Sequence, residues 1–318
     1  MTEPVLLHES IVDASEIDSL GHLNVRYYGE RASRANYALL KLAGIILQEG
    51  EFVRWTDTFN RFHREQFEGA RLQTYGGFIT SEGFGDESQD FTRAYFEIRN
   101  PDSKTLAASF VVLMNIVDSA GQVLNDLSLR QMSQESDLLI ELPAHGAPRT
   151  ISLKEPKSVS LEQIEAIELE DLRSGMMSGR REGIVLPEDC DAGGRLREDV
   201  NLMYVLHRPQ PGQDLSEMGP PILKDDQGRR FSWAMLETRS FQCQRPIEND
   251  VVVSIGADLL TGEKWRYTRR WMFVKESGLL LAIYDSVGIC IDLDARKSIV
   301  IPPELKSAIE ANCVPQFF

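Results

Sequence analysis

SEIDSLGHLNVRYYGERA, residues 15–32, sets a carboxylate (Asp18), a glycine (Gly21), an imidazole (His22) and an amide (Asn24) directly before a long periodic segment. Two readings account for that order. In one, the residues are a cap: Asn24 is a good helix N-cap, and acids near a helix N-terminus are favoured by its dipole. In the other, the helix end is itself a site, because its first N–H groups have no partner within the helix.

Around this segment the chain has a clear rhythm. A short apolar strand, about 5–12, precedes it. Val25, Tyr28, Ala32, Ala35, Leu39, Leu42 and Ile46 then recur at steps of three and four, which predicts a helix of about six turns ending near Gly44 or Gly50. Strand patterns follow at 71–80, 90–99 and 105–118. Turn signals separate them at residues 83–86 and at Asn100-Pro101-Asp102. In AYFEIR, Ala94, Phe96 and Ile98 alternate with Tyr95, Glu97 and Arg99, which predicts a half-buried strand.

The same order returns later. A strand-like GIVLP (183–187) leads into EDCDAGGRL (188–196) and a helical segment to about His207. A long Pro/Gly-rich loop (209–230) comes next, then strands at 231–243, 250–259, 265–275 and 279–293. Asp18 and Asp191 occupy matching places. A period this long indicates duplicated domains rather than a solenoid. The expected organisation is a first domain over residues 1–142, a linker over 143–170 with a short acidic helix near 160–172, and a second domain over 171–318. One helix against a run of antiparallel strands, twice over, is α+β architecture.

Composition narrows the function classes. The 318 residues carry a net charge of −15, which argues against nucleic acid and anionic membrane surfaces as partners. No apolar run approaches the roughly 20 residues that cross a bilayer. The N-terminal residues have acids where a signal peptide needs a basic region. Cys190, Cys243, Cys290 and Cys313 form no CxxC and read as reduced thiols of a cytoplasmic protein. HExxH, Walker, GxSxG and dinucleotide motifs are absent.

Asp18-Ser19-Leu20-Gly21-His22-Leu23-Asn24 before a long helix resembles the hotdog-fold acyl thioesterases, in which Asp-x-x-Gly-His-x-Asn is common. Glu188-Asp189-Cys190-Asp191-Ala192-Gly193-Gly194 resembles the Asp-x-Asp-x-x-Gly version of the 4-hydroxybenzoyl-CoA thioesterase group. The resemblance implies two tandem hotdog domains, each a long helix wrapped by a curved antiparallel sheet, paired as a pseudo-dimer within one chain. It also implies an acyl-CoA thioesterase that needs no metal or organic cofactor, with coenzyme A arriving as part of the substrate, and a homo-oligomer of such chains.

By the same resemblance, Asp18 and Asp191 act as general base or nucleophile. The backbone N–H near Val25, and near Glu198 in the second half, stabilises the oxyanion. Gly21 and Gly194 let the backbone approach the thioester. His22 and Asn24 position water or hold the loop. The second half departs from the pattern, with Arg195 and Arg197 where the first has His22 and Asn24. Coenzyme A is polyanionic, and the candidate cations are Arg180-Arg181, Arg269-Arg270 and the Arg31/Arg34 pair. Met176, Met177, Trp233, Trp265 and Trp271 read as core.

Three other readings stay open. An acyl-carrier-protein thioesterase also uses tandem hotdogs, but its acidic partner suits a chain of charge −15 poorly. A hydratase needs a Gly-Asp-x-Asn-Pro context that is missing here. A non-catalytic acyl-CoA binder or sensor would keep the fold and lose turnover.

Overall fold

The computed structural model describes residues 3–18, 20–79, 92–118, 121–124, 137–166, 179–191, 193–197, 200, 202–206, 208 and 222–317. The expected turn at 83–86, Met176, Met177, Glu198 and residues 209–221 of the long loop lie outside them. The chain divides into two compact units, Met1–Glu155 and Pro156–Phe318.

The first unit runs β1 (Val5–Ile11), helix α1 (Val25–Leu42), β2 (Phe52–Phe62), β3 (Arg71–Ile79), β4 (Thr92–Asn100) and β5 (Thr105–Val117). Its antiparallel sheet has the order β1-β3-β4-β5-β2. A short β6 (Leu139–Ile140) adds in parallel to β3. Asn24 caps α1 by accepting from the Arg26 N–H. Gly44, at φ +77°, stops it, and the Ile45 N–H returns to the Leu40 carbonyl at 2.9 Å. The predicted apolar stripe is the buried one. Tyr28, Ala32, Ala35 and Leu39 pack on Leu72, Phe78, Phe96, Phe110 and Val112, so the sheet wraps the helix. Sequence periodicity missed β2, because Arg54, Asp57 and Arg61 interrupt its apolar alternation, yet Asp57 and Arg61 are themselves buried.

Strand β4 corrects the expectation of a half-buried strand. Thr92–Ile98 is buried on both faces. The side away from α1 is covered by residues 143–147: a Cβ on Gly146 would collide with the Tyr95 ring, and Arg61 Nη1 donates to the His145 and Ala147 carbonyls at 2.5 and 3.0 Å. Glu97, fully buried, is satisfied there by Tyr95 Oη (2.9 Å), His145 Nε2 (2.7 Å) and Arg99. A buried carboxylate is tolerated when it is paired in this way.

The second unit repeats the order. It runs β7 (Gly179–Ile184), β8 (Leu223–Lys224), β9 (Arg230–Gln242), β10 (Val251–Thr261), β11 (Trp265–Val274), β12 (Leu280–Asp292) and β13 (Lys297–Ser298). The main path is β7-β10-β11-β12-β9, with β8 on β9 and β13 on β12. The expected acidic helix is present at Leu161–Glu165, opened by a Ser160/Gln163 capping box. Of the expected segment reaching His207, the described helix is Leu202–Leu206, which buries Leu202, Val205 and Leu206 against Val252, Met272 and Leu281. A C-terminal helix, Pro303–Ala311, was not read from the sequence. It lays Ile309 over Phe231, Cys290 and Ile301.

One buried acid makes the stability of this unit pH-dependent. Asp258 is almost fully buried, and desolvation raises its carboxyl from 3.8 to about 6, against a smaller opposing pull from Arg266 3.7 Å away. A raised native value means that the folded chain holds this proton more tightly than the unfolded chain. Its contribution to stability is therefore greatest below about pH 4 and falls as pH rises to about 6, by on the order of 3 kcal/mol. Asp258→Asn is expected to flatten that part of the urea-unfolding profile and to raise the midpoint at pH 8 relative to wild type.

Candidate active site

In the first unit the residues before α1 form a closed loop. The Asp18 N–H donates to the His22 carbonyl and the Gly21 N–H to the Asp18 carbonyl, both at 2.9 Å. Gly21 has φ +79°, a left-handed conformation that a side chain would strain. Ile17 and Leu23 pair across the loop base. The Leu23 N–H reaches the Gln66 carbonyl at 2.8 Å, and the Asn24 N–H reaches the Glu16 carbonyl at 3.0 Å. An ion pair holds this assembly to the helix: the buried Arg31 meets both carboxylate oxygens of Glu16, at 3.1 and 2.6 Å.

Asp18, His22, Asn24 and Val25 are thereby brought to one helix end. Asp18 Oδ1 accepts the Leu20 N–H at 2.9 Å, and Oδ2 lies 3.5 Å from His22 Nδ1. His22 Nε2 faces Glu65 Oε1 at 3.7 Å. The carboxylate and the imidazole are both mostly sheltered, at 10% and 15% side-chain exposure. Asn24 Oδ1 takes the Arg26 N–H at 3.1 Å, and the Asn24 carbonyl takes the Tyr27 N–H at 3.1 Å. Among the described residues this leaves the Val25 N–H as the orphan donor of the first turn.

The second unit repeats the loop bond for bond. The Asp191 N–H donates to the Arg195 carbonyl (2.8 Å), Gly194 to Asp191 (2.9 Å), Leu196 to Pro246 (3.0 Å) and Arg197 to Asp189 (2.9 Å). Gly194 has φ +71°. Cys190 pairs with Leu196, and Arg208 binds Asp189 as Arg31 binds Glu16. Only the side chains differ. Asp191 Oδ1 accepts two N–H groups, from Gly193 (2.9 Å) and Arg195 (3.1 Å), and Oδ2 is ion-paired to Arg245 Nη2 at 3.2 Å. Where the first loop faces Glu65, the second faces Arg245. Glu198, the expected second oxyanion donor, lies outside the described residues.

Sequence reasoning missed Glu65 and Arg245. Glu65 sits in the turn between β2 and β3 and Arg245 in the matching turn between β9 and β10, each far along the chain from its loop and outside any periodic pattern. The proposed coenzyme A cations are mostly committed elsewhere. Arg31 is buried on Glu16, Arg269 pairs with Asp285 at 2.7 Å, and Arg180 pairs with Glu165 (2.6 Å) and Glu182 (3.1 Å). Trp271 is core, while Trp233 and Trp265 are part-buried. All four cysteines are free thiols, and no helix among the described residues is long and apolar enough to cross a membrane.

No family model matches the chain, and no curated protein does. Solved structures match over most of its length. A 12:0-ACP thioesterase from Umbellularia californica aligns at TM-score 0.56 and 11% identity, over 88% of this chain and 92% of its own. A Lactobacillus plantarum protein, provisionally described as an oleoyl thioesterase, aligns at 0.54 and 11%, over 91% and 97%. An acyl-ACP thioesterase from Bacteroides thetaiotaomicron aligns at 0.54 and 8%, over 88% and 96%. With the repeated strand order and the repeated loop, these matches give the chain its architecture: it is an α+β protein of two tandem hotdog domains, the fold of these thioesterase structures.

Proposed function

We propose that the chain is a thioester hydrolase acting on an acyl-CoA at the Asp18 loop. The observation that carries the reading is the convergence of the Asp18 carboxylate and the orphan Val25 N–H at one helix end. Asp18, as general base, takes a proton from water, and the resulting hydroxide attacks the thioester carbonyl. The oxygen that gains charge accepts the Val25 N–H at the positive end of α1. Collapse of the tetrahedral intermediate breaks the C–S bond and releases the acid and the thiol, which takes up the proton. Direct attack by Asp18, through an anhydride that water then cleaves, uses the same two groups. His22, bracketed by Asp18 and Glu65, holds the carboxylate and orients water. No metal or organic cofactor takes part in this scheme.

Asp191 serves the second loop differently. Its carboxylate is occupied by two backbone N–H groups and Arg245, which leaves it less lone-pair capacity for water or substrate than Asp18 has. We assign it a structural role and place the working centre in the first unit. A second reading, an acyl-ACP substrate, is favoured by two of the fold neighbours, both acyl-ACP thioesterases. The charge of −15 opposes it, since acyl carrier proteins are acidic.

Free-thiol release from matched acyl-CoA and acyl-ACP substrates tests the proposal. Asp18→Asn is expected to lower kcat by ~10²–10⁴-fold with the fold intact, and Asp191→Asn by less than about threefold. Equal losses would mean two centres, and a wild type inert on every thioester would leave a binder rather than an enzyme. Asn24→Ala is expected to cost about 1 kcal/mol in chemical unfolding, as loss of an N-cap. A rise in KM beyond what the ~1 kcal/mol stability loss explains, with the chain still folded at the assay temperature, would make Asn24 a substrate contact.

A further inference from the structure

The chain that follows β6 folds back over the first sheet, on the side away from α1. Residues 143–147 form a tight turn there, closed by the Gly146 N–H on the Pro143 carbonyl at 2.8 Å. Three contacts fasten this turn to the sheet. Gly146 lies on the Tyr95 ring, where a Cβ would stand 2.4 Å from ring carbon Cε2. Arg61 Nη1, from β2, donates to the His145 and Ala147 carbonyls. The His145 ring meets Glu97, with Nε2 2.7 Å from Oε2 and 2.9 Å from Tyr95 Oη. The first two contacts are indifferent to pH near neutrality, because a glycine does not titrate and an arginine keeps its charge. The third is not, because an imidazole changes charge between about pH 5 and 8.

The groups around the His145 ring come from every element packed on it. Strand β4 supplies Tyr95, Glu97 and Arg99, whose guanidinium holds the other Glu97 oxygen and lies over the Tyr75 ring of β3 at 5.0 Å. Strand β2 supplies Arg61 and, just past its end, His63, whose ring stands edge-on to His145 at 6.2 Å. Strand β5 supplies Ser109, whose hydroxyl lies 3.2 Å from His63 Nε2. Arg149 belongs to the turn's own segment. Burial and the positive charges of Arg61, His145 and Arg149 push the His63 imidazole down to about 4, against an opposing pull from Glu97. His63 is therefore neutral near pH 7. Glu97 has no exposed surface, whereas the His145 side chain is 43% exposed, so solvent reaches the ring and not the carboxylate. The second unit covers its sheet without such a group: Arg269, ion-paired to Asp285, donates to the Phe317 carbonyl at 2.7 Å, and Phe317 stands edge-on to Trp271.

We propose that His145 and Glu97 form a proton-operated clasp on residues 143–147. With the imidazole charged, Nε2 gives Glu97 a charge-assisted hydrogen bond and the turn is held down. With the imidazole neutral, the ring has a single N–H and no charge, the bond weakens, and the stretch from Pro143 to Glu155, the end of the first unit, gains freedom. The clasp stands apart from hydrolysis at Asp18 and needs no turnover to be read.

Hydrogen exchange of the full chain between about pH 5.5 and 8.5, read as protection factors so that the intrinsic pH effect is removed, tests the clasp. Protection over residues 143–151 is expected to be greatest on the acid side and to fall ~10-fold as pH rises, the size of one hydrogen bond to a charged group. Protection of α1 is expected to stay constant, which separates release of the turn from unfolding of the unit. His145→Gln, which keeps an N–H for Glu97 but cannot titrate, is expected to flatten the profile, and His63→Gln to preserve it. Should His145→Gln fail to fold, ring NMR of the wild type serves instead: the midpoint of the His145 titration is expected to coincide with that of the fall in protection. A flat wild-type profile, a fall that persists in His145→Gln, a parallel fall in α1, or two separate midpoints overturns the proposal.

Discussion

The ion pair between Glu16 and the buried Arg31 is the contact on which the first unit's site depends. It is bidentate, and Arg31 is only 4% exposed. The same guanidinium donates to Ser10 Oγ on β1 at 2.8 Å and to the Tyr27 carbonyl on α1 at 3.0 Å. One side chain therefore ties the first strand, the turn after it and the first turns of the helix together. Glu16 in turn lends its carbonyl to the Asn24 N–H, which sets where the helix begins. Removing Glu16 would strand the buried Arg31 guanidinium, a loss typically of about 3–5 kcal/mol. The second unit keeps the device as Asp189 with Arg208, although the arginine comes from a different place along the chain. What persists through the duplication is the connection and not the residue spacing.

Around that anchor the two loops hold one backbone and two chemistries. Every closing hydrogen bond of the first loop has its counterpart in the second, and both turns carry a glycine at positive φ. Backbone geometry is set by those bonds and by the glycine, so the side chains are free to diverge. His22, Asn24 and Glu65 give one loop an imidazole between two carboxylates. Arg195, Arg197 and Arg245 give the other a cationic setting in which Asp191 is a counter-ion. An Asp-x-x-Gly pattern thus reports a turn first and a catalytic group only when its neighbours permit.

The sheets diverge in the same manner. Backbone pairing within each unit follows the same order, because strand ladders are satisfied by main-chain groups whatever the side chains are. In the first unit α1 presents an apolar face of 18 helical residues, and the sheet answers with phenylalanine, valine and leucine. In the second, among the described residues, apolar contact is split between Leu202–Leu206 on Val252, Met272 and Leu281 and the C-terminal helix on Phe231, Cys290 and Ile301, while the rows through Arg270 and Thr268 are largely polar. A hotdog sheet can evidently exchange a dry core for a polar lining without losing its ladder.

The helix before Gly44, most of the strands and the duplication were legible in the sequence, because they rest on local periodicity: three-and-four spacing for α1, alternation for the strands, and a repeated acid-glycine loop. The asparagine cap and the left-handed glycines were legible for the same reason, since their constraints act within a few residues. Strand β2 was not, because its buried Asp57 and Arg61 are matched by partners elsewhere in the fold. Nor were Glu65 and Arg245, which arrive at their loops from the far end of a strand. The arginine doublets mark the boundary most clearly. Alternation alone dictates that one member of each doublet faces each side of its strand. Which member faces the helix is set by register, and register is decided by the pairing of distant strands. The tertiary structure therefore turned Arg181 and Arg270 inward together, next to Ser254, and left Arg180 and Arg269 to their carboxylates.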